Sequence, residues 1–197
     1  MITTEEMKQL EDNCGISKLQ LMENAGRGIA DIIKNRFKDL KDKNILFVCY
    51  HGNNGGDGFA AARHLSDFCE VDVLFIGDES RLKDEANTNY RRVLNNEKIQ
   101  LLFDFEDIDF DAYDIIVDSI LGIGVEGNLK EPIGDVVDNF NRSKAFKISI
   151  DIPTGLNPDN GVIADKAVNP DLIITMHDLK PGLEKFKDKT AIVDIGI

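Results

Sequence analysis

The chain has 197 residues, of which 42% are hydrophobic and 30% charged, and carries a net charge of −13 at neutral pH. These values fit one large domain with a sizeable core and exclude a nucleic-acid-binding surface, which needs clustered Lys and Arg. They also argue against an anionic membrane as partner, and no apolar run approaches the roughly 18 residues of a membrane span. The opening Met1 to Glu6 lacks the basic and apolar regions of a signal peptide. Cys14, Cys49 and Cys69 are far apart and odd in number. They read as reduced cysteines of a cytoplasmic protein, not as a disulfide frame or metal site.

In chain order, Thr3 and Glu6 match a capping box, and Met7 and Leu10 begin an apolar stripe. Gly15 is placed to break that first helix. A second starts near Ser17, with Leu21, Met22, Ala25, Ile29, Ile32 and Ile33 at helical spacing. Its Met22-Glu23-Asn24-Ala25-Gly26-Arg27 segment offers a small-residue face for close packing. From residue 44 onward strand and helix signals alternate. Strands are expected at 44–50, 71–76, 114–118, 146–150, 171–175 and 190–195, and helices at 57–68, 82–96 and 132–142. Near-continuous apolar runs such as Val71 to Ile76 suit a parallel sheet covered on both faces. The pattern predicts one doubly wound α/β domain over 1–197, mostly parallel, with a helical extension over 1–40. The acidic stretch from Asp104 to Asp111 lacks the glycine and terminal Glu of a calcium loop and reads as a solvated connector.

Between the first strand and its helix lies His51-Gly52-Asn53-Asn54-Gly55-Gly56-Asp57-Gly58. Four glycines in eight residues are costly backbone, accepted where the chain turns sharply or another molecule comes close. Opening a helix, such a loop presents free N–H groups at the positive end of the helix dipole, where an anion binds well. The inner side of that helix is expected to carry Ala60, Ala61, Leu65 and Phe68. Ligands of open α/β sheets sit beyond the carboxyl ends of the strands. There this sequence delivers the Asn53–Asp57 loop, Asp118 with Ser119 to Asn128, Asp151-Ile152-Pro153-Thr154-Gly155, and Thr175, His177 and Lys180. Asn54, Asp118 and Thr154 together offer amide, carboxylate and hydroxyl oxygens, a set suited to a hard cation. Gly122-x-Gly124 makes a poor dinucleotide fingerprint, since the third glycine falls at Gly127 and no helix follows at once. His51 and His64 read as packing or surface residues.

Asn53-Asn54-Gly55-Gly56-Asp57-Gly58, Asp118-x-x-x-Gly122-x-Gly124, Ser149-x-Asp151-Ile152-Pro153-Thr154-Gly155 and the Met22–Gly26 helix together resemble the NAD(P)H-hydrate epimerase family, also called the YjeF N-terminal domain. The resemblance covers essentially the whole chain. It implies a Rossmann-like three-layer α/β/α fold and an isomerase that interconverts the R and S forms of hydrated NADH and NADPH (NADHX and NADPHX). Such an enzyme works in cofactor repair, with a separate NAD(P)H-hydrate dehydratase consuming the S form. The resemblance further implies that Asn53, Asn54, Gly55, Gly56 and Asp57 bind the dinucleotide, along with Gly122, Ile123, Gly124, Val125, Glu126, Gly127, Asn128 and Asp151. One potassium ion (K+) per subunit is implied at Asn54, Asp118 and Thr154. Homodimers form in the family through the N-terminal helices.

C6 of the hydrate bears a hydroxyl beside the ring nitrogen. Expelling water leaves a nitrogen-stabilised cation that can be rehydrated on either face, and this needs an acid/base group near the hydroxyl. Asp151 is the first candidate and Asp57 the second. Thr154 replaces a more usual serine, His51 a more usual glycine or proline, and Glu126 stands where some relatives carry a lysine, so no catalytic lysine is expected. A non-catalytic nucleotide-binding or protein-interaction module of the same fold is the alternative. A nicotinamide-dependent dehydrogenase is a weaker third reading.

Overall fold

A computed structural model describes residues 1–123 and 127–197 of the chain. Among the described residues, seven strands form one sheet: β1 (Asn44–Cys49), β2 (Glu70–Phe75), β3 (Ile99–Leu102), β4 (Ile115–Ser119), β5 (Phe146–Ile150), β6 (Leu172–Met176) and β7 (Thr190–Val193). Their order is β3-β2-β1-β4-β5-β6-β7, and every adjacent pair runs parallel. The expected "mostly parallel" sheet is therefore parallel throughout. β3 was not expected; Ile99, Leu101 and Leu102 are apolar, but the strand is a four-residue edge strand with Gln100 exposed, too short a run to stand out.

Successive side chains of a strand point to opposite faces, and both faces here are buried. Ile45, Phe47 and Cys49 of β1 join one core cluster, while Leu46 and Val48 join the other. The first cluster is covered by α1 (Thr4–Asn13), α2 (Lys18–Arg36), α3 (Asn53–Leu65) and α4 (Asp84–Leu94), and the second by α5 (Ile133–Arg142). α1 has the expected Thr3–Glu6 capping box and ends beside Gly15 at φ 76°, a left-handed residue that lets the chain turn away from the helix. α2 lies on α3 so closely that a Cβ on Gly26 would stand 2.8 Å from the Ala60 carbonyl carbon. The small-residue face of α2 is a packing face, as expected.

Two local expectations are corrected. Phe68 is 50% exposed and not on the inner side of α3, which ends at Leu65; Lys34 sits over its ring instead. More consequentially, Asn53 to Asp57 do not form a loop before a helix. They are the first turns of α3 itself.

The helices leave the carboxyl edge of the sheet open between β1 and β4, where the strand order reverses. Register brings Val48 opposite Asp118, and Asp118 opposite Ser149. Acids from two strand ends, Asp118 of β4 and Asp151 after β5, are thereby set beside the N-terminus of α3.

Candidate functional site

α3 begins without a side-chain cap. Its N-cap is Gly52, and the first helical hydrogen bond runs from Gly56 N–H to the Gly52 carbonyl at 3.1 Å. The N–H groups of Asn53, Asn54 and Gly55 thus have no acceptor within the helix and point toward the crevice, at the positive end of the helix dipole. The glycines serve packing. A Cβ on Gly55 would run into the Tyr50 carbonyl, one on Gly56 would lie 2.5 Å from the Met22 methyl, and one on Gly58 2.6 Å from the Ser119 Cβ. They let the helix start sink against β1, β4 and α2, fixing where its free N–H groups aim.

Asp118, next to last in β4, is fully buried. It accepts from Ser149 Oγ (2.8 Å), Thr154 N–H (2.9 Å), Thr154 Oγ1 (2.6 Å) and Ile120 N–H (3.3 Å). Burial pushes its carboxyl pKa up, against the pull of the hydrogen bonds from Thr154, Ser149 and Ile120. The Leu121 N–H donates to Thr154 Oγ1 at 3.0 Å, and the Ser119 hydroxyl donates to the Asn54 carbonyl. The segment Ser119–Leu121 therefore joins Asn54, Asp118 and Thr154 into one assembly. Within it, both polar atoms of the buried Asn54 side chain are without a hydrogen-bond partner among the described residues. Such a group carries the full desolvation cost of about 1–3 kcal/mol and calls for an explanation. A cation ligated by the Asn54 side-chain oxygen, beside the Asp118 carboxylate and Thr154 hydroxyl, would account for that oxygen, though not for the amide nitrogen. The donor set fits a hard cation.

Asp151 follows β5 in a left-handed backbone conformation, φ 62°, rare for a residue with a Cβ. Its N–H donates to the Ile174 carbonyl at 2.7 Å, which holds it there. The carboxylate oxygen Oδ1 accepts from Thr175 Oγ1 at 3.0 Å and pairs with Lys180 Nζ at 2.8 Å. Lys180 is 1% exposed, and its ammonium also donates to Thr175 Oγ1 (3.0 Å) and the Met176 carbonyl (2.8 Å). Asp57 lies across the crevice, just over one turn into α3 and part-buried. Burial pushes its pKa well above the usual carboxylate range, with the negative charges of Asp151 and Glu11 adding to the shift and Lys180 opposing it.

These groups line a cleft of about 330 Å³ that includes Asn53, Asn54, Asp57, Gly122, Ile123, Asp151 and Lys180, with Lys83 at its mouth. A larger, open groove along α3 and α4 carries Arg63, Arg91, Arg92 and Lys98. Its cations are already engaged: Arg63 and Arg92 with Glu23, and Lys98 with Asp67. It offers no converging chemistry.

The family model described as YjeF-related protein N-terminus matches residues 18–182. The chain belongs to the YjeF N-terminal family. It is 33% identical to the NAD(P)H-hydrate epimerase of Nitrosopumilus maritimus, over 96% of this chain and 91% of that one. It is 39% identical to the bifunctional NAD(P)H-hydrate repair enzyme Nnr of Archaeoglobus fulgidus, but spans only 41% of that protein's length. The crystal structure of yeast ynu0 superposes with a TM-score of 0.80 at 27% identity, covering 94% of this chain and 82% of that one.

The YjeF N-terminal fold thus brings together most of the positions singled out in the sequence. Asn53, Asn54, Asp57, Gly122, Ile123 and Asp151 line the cleft, and Asp118 and Thr154 lie buried beneath it. Gly55 and Gly56 are buried in α3 and reach the cleft only through backbone. Gly127 and Asn128 are exposed and outside its lining, while Gly124, Val125 and Glu126 lie outside the described residues. Lys180 is expected at this edge of the sheet from the sequence, though without an assigned role, and Lys83 is not singled out there. A buried lysine flanked by Leu179 and Pro181 could have been suspected from its place just after a strand end, where charge is seldom buried unless paired. His51 accepts from the Asp78 N–H at 3.1 Å and His64 pairs with Glu23 at 2.8 Å, so both are structural.

Proposed function

We propose that this chain is an NAD(P)H-hydrate epimerase, interconverting the R and S forms of NADHX and NADPHX. What carries the reading is a pair of carboxyls in opposed environments on one cleft: Asp57, pushed toward its neutral form, and Asp151, held in an ion pair with a buried lysine. A carboxyl whose anion is disfavoured by burial, facing a carboxyl paired with a cation, is what an acid and a base require.

The phosphates sit on the open N-terminus of α3, with Lys83 at the rim. The nicotinamide end reaches in between Asp57 and Asp151. Asp57 gives its proton to the C6 hydroxyl, which leaves as water, and the ring nitrogen's lone pair stabilises the resulting cation. That ring carbon is planar, so water can return on either face. Asp151 takes the proton from the returning water, and the opposite epimer forms when it adds to the second face. The reverse reaction exchanges the roles.

Asn54, Asp118 and Thr154 would hold one potassium ion. Such an ion offsets phosphate charge that a chain of net charge −13 cannot neutralise with its overall field. A separate dehydratase consumes the S form. We place the protein in the cytoplasm, where its three unpaired cysteines stay reduced; no helix of the described residues is long and apolar enough to cross a membrane. A homodimer remains part of the proposal, through the face of α1 and α2.

The test is to mix the purified chain with pure R hydrate and follow the S form by chiral chromatography. Conversion at catalytic protein concentration supports the epimerase. Saturable binding without conversion refutes it and supports a nucleotide-binding module.

A further inference from the structure

The ammonium of Lys180 has three donors and three partners: Asp151 Oδ1 (2.8 Å), Thr175 Oγ1 (3.0 Å) and the Met176 carbonyl (2.8 Å). Its side chain is fully enclosed, so no donor is left for a substrate. The two donors aimed at Asp151, from Lys180 and Thr175, both reach Oδ1. The second oxygen, Oδ2, points to the opposite side, 3.5 Å from where a Cβ on Gly122 would stand, on the cleft. The backbone of Asp151 is independently locked in its left-handed conformation by its N–H bond to Ile174. Among the described residues, one carboxylate oxygen is therefore clamped, while the other, on the Gly122 side, has no hydrogen-bond partner.

We infer that Lys180 is a positioning residue for the epimerisation: together with Thr175 it clamps Oδ1 of Asp151 so that Oδ2 alone faces the reacting carbon. The inference rests on the proposed epimerase activity. Lys180 does not touch the substrate. It acts by keeping the base in one rotamer and by compensating its buried charge. Loss of a positioned base by about an ångström lowers turnover by roughly a hundredfold.

The test compares Lys180→Met, Asp151→Asn, Thr175→Val and the Asp151→Asn/Lys180→Met double variant, each corrected for folded fraction by circular dichroism. Lys180→Met is expected to lower kcat about ten- to a hundredfold while KM stays within about threefold. In the Asp151→Asn background the same change lowers kcat no further, because its effect runs through Asp151. Thr175→Val, which keeps the charge pair, gives a smaller loss in kcat and serves if Lys180→Met does not fold. Unchanged kcat in Lys180→Met or, where that variant is unfolded, in Thr175→Val overturns the inference, as does an equal further loss in the double variant. An activity-free measurement separates this from the function itself. In the wild type, one lysine ammonium gives a slowly exchanging ¹H–¹⁵N signal that moves in Asp151→Asn; its absence refutes the clamp even if the enzyme is active. Failure of the wild type to convert R hydrate while that signal is present refutes the epimerase reading and leaves the clamp standing.

Discussion

Gly52 is the N-cap of α3 and gives the helix no side-chain cap, although its φ of −86° and ψ of −178° suit a capping residue and a Cβ there would meet nothing within 4 Å. Replacing it with Asp puts a carboxylate onto the N–H groups proposed to hold phosphate. The cap contributes a few tenths of a kcal/mol over glycine. Charge at the positive end of the dipole adds about 0.5 kcal/mol. The stiffer unfolded chain adds about another 0.5 kcal/mol. Gly52→Asp should therefore stabilise the fold by roughly 1 kcal/mol, a rise in Tm of about 2–4 °C for a domain of this size. The same carboxylate displaces substrate phosphate from charge-assisted bonds worth about 1.5–3 kcal/mol, so KM for the hydrate should rise roughly ten- to a hundredfold. Gly52→Ala separates the effects, since it leaves the N–H groups open and should keep KM near wild type. Scanning calorimetry and initial rates against hydrate concentration measure both quantities. A Gly52→Asp variant with raised Tm and unchanged KM would show that the start of α3 holds no phosphate.

Asn54→Ala removes the two buried polar atoms that lack partners. In cation-free buffer it should be neutral or stabilising, and the rise in Tm that potassium gives the wild type over a bulky organic cation should vanish; persistence of that rise removes Asn54 from the ion's ligands. Asp57 has a raised folded-state pKa, so the stability associated with its neutral form is complete below the unfolded value near 4 and is lost as pH rises through the folded value. Asp57→Asn should consequently be more stable than wild type at pH 7, lose that advantage below about pH 4, and be inactive; urea melts across pH check the first two. Gly55→Ala drives a methyl into the Tyr50 backbone, 2.8 Å from its carbonyl carbon, which cannot move without β1. A cost of about 2–3 kcal/mol is expected in denaturant midpoint, well above that of Gly52→Ala.

How far the sequence foretells this arrangement depends on which physical signal each residue sends. β1, β4 and β5 are legible because buried parallel strands must be apolar on both faces, and acids at their ends stand out against that background. β3 is not, because an edge strand of only four residues with an exposed Gln100 carries little pattern. Asn53 to Asp57 look like a loop because glycine is a poor helix former; tertiary packing against Tyr50, Met22 and Ser119 overrides that propensity and demands glycine inside a helix. The composition of the segment is informative, but its cause is the closeness of α3 to the sheet more than the approach of a ligand. The sequence puts Lys180 at the carboxyl edge of the sheet, but nothing local says that its head turns inward to meet an aspartate 29 positions earlier.

The places where local rules fail coincide in space. α3 starts uncapped, Asn54 buries an amide with no partner, Asp151 and His177 hold left-handed backbone without being glycine, and Lys180 buries a charge. Each is unfavourable by itself: a left-handed residue with a Cβ costs about 1–3 kcal/mol, and an orphaned polar group a similar amount. His177, whose N–H is held by the Val193 carbonyl at 2.7 Å, begins the turn that carries Lys180 back under β6 to Asp151. The strain at His177 and the strain at Asp151 therefore serve the same contact, one bringing the lysine and the other the carboxylate. A fold selected only for stability would relax both, with glycine at the turns and an apolar residue at 180. Their joint retention along one edge of the sheet, facing the open end of α3, is what a site that must hold a proton acceptor in a fixed direction requires.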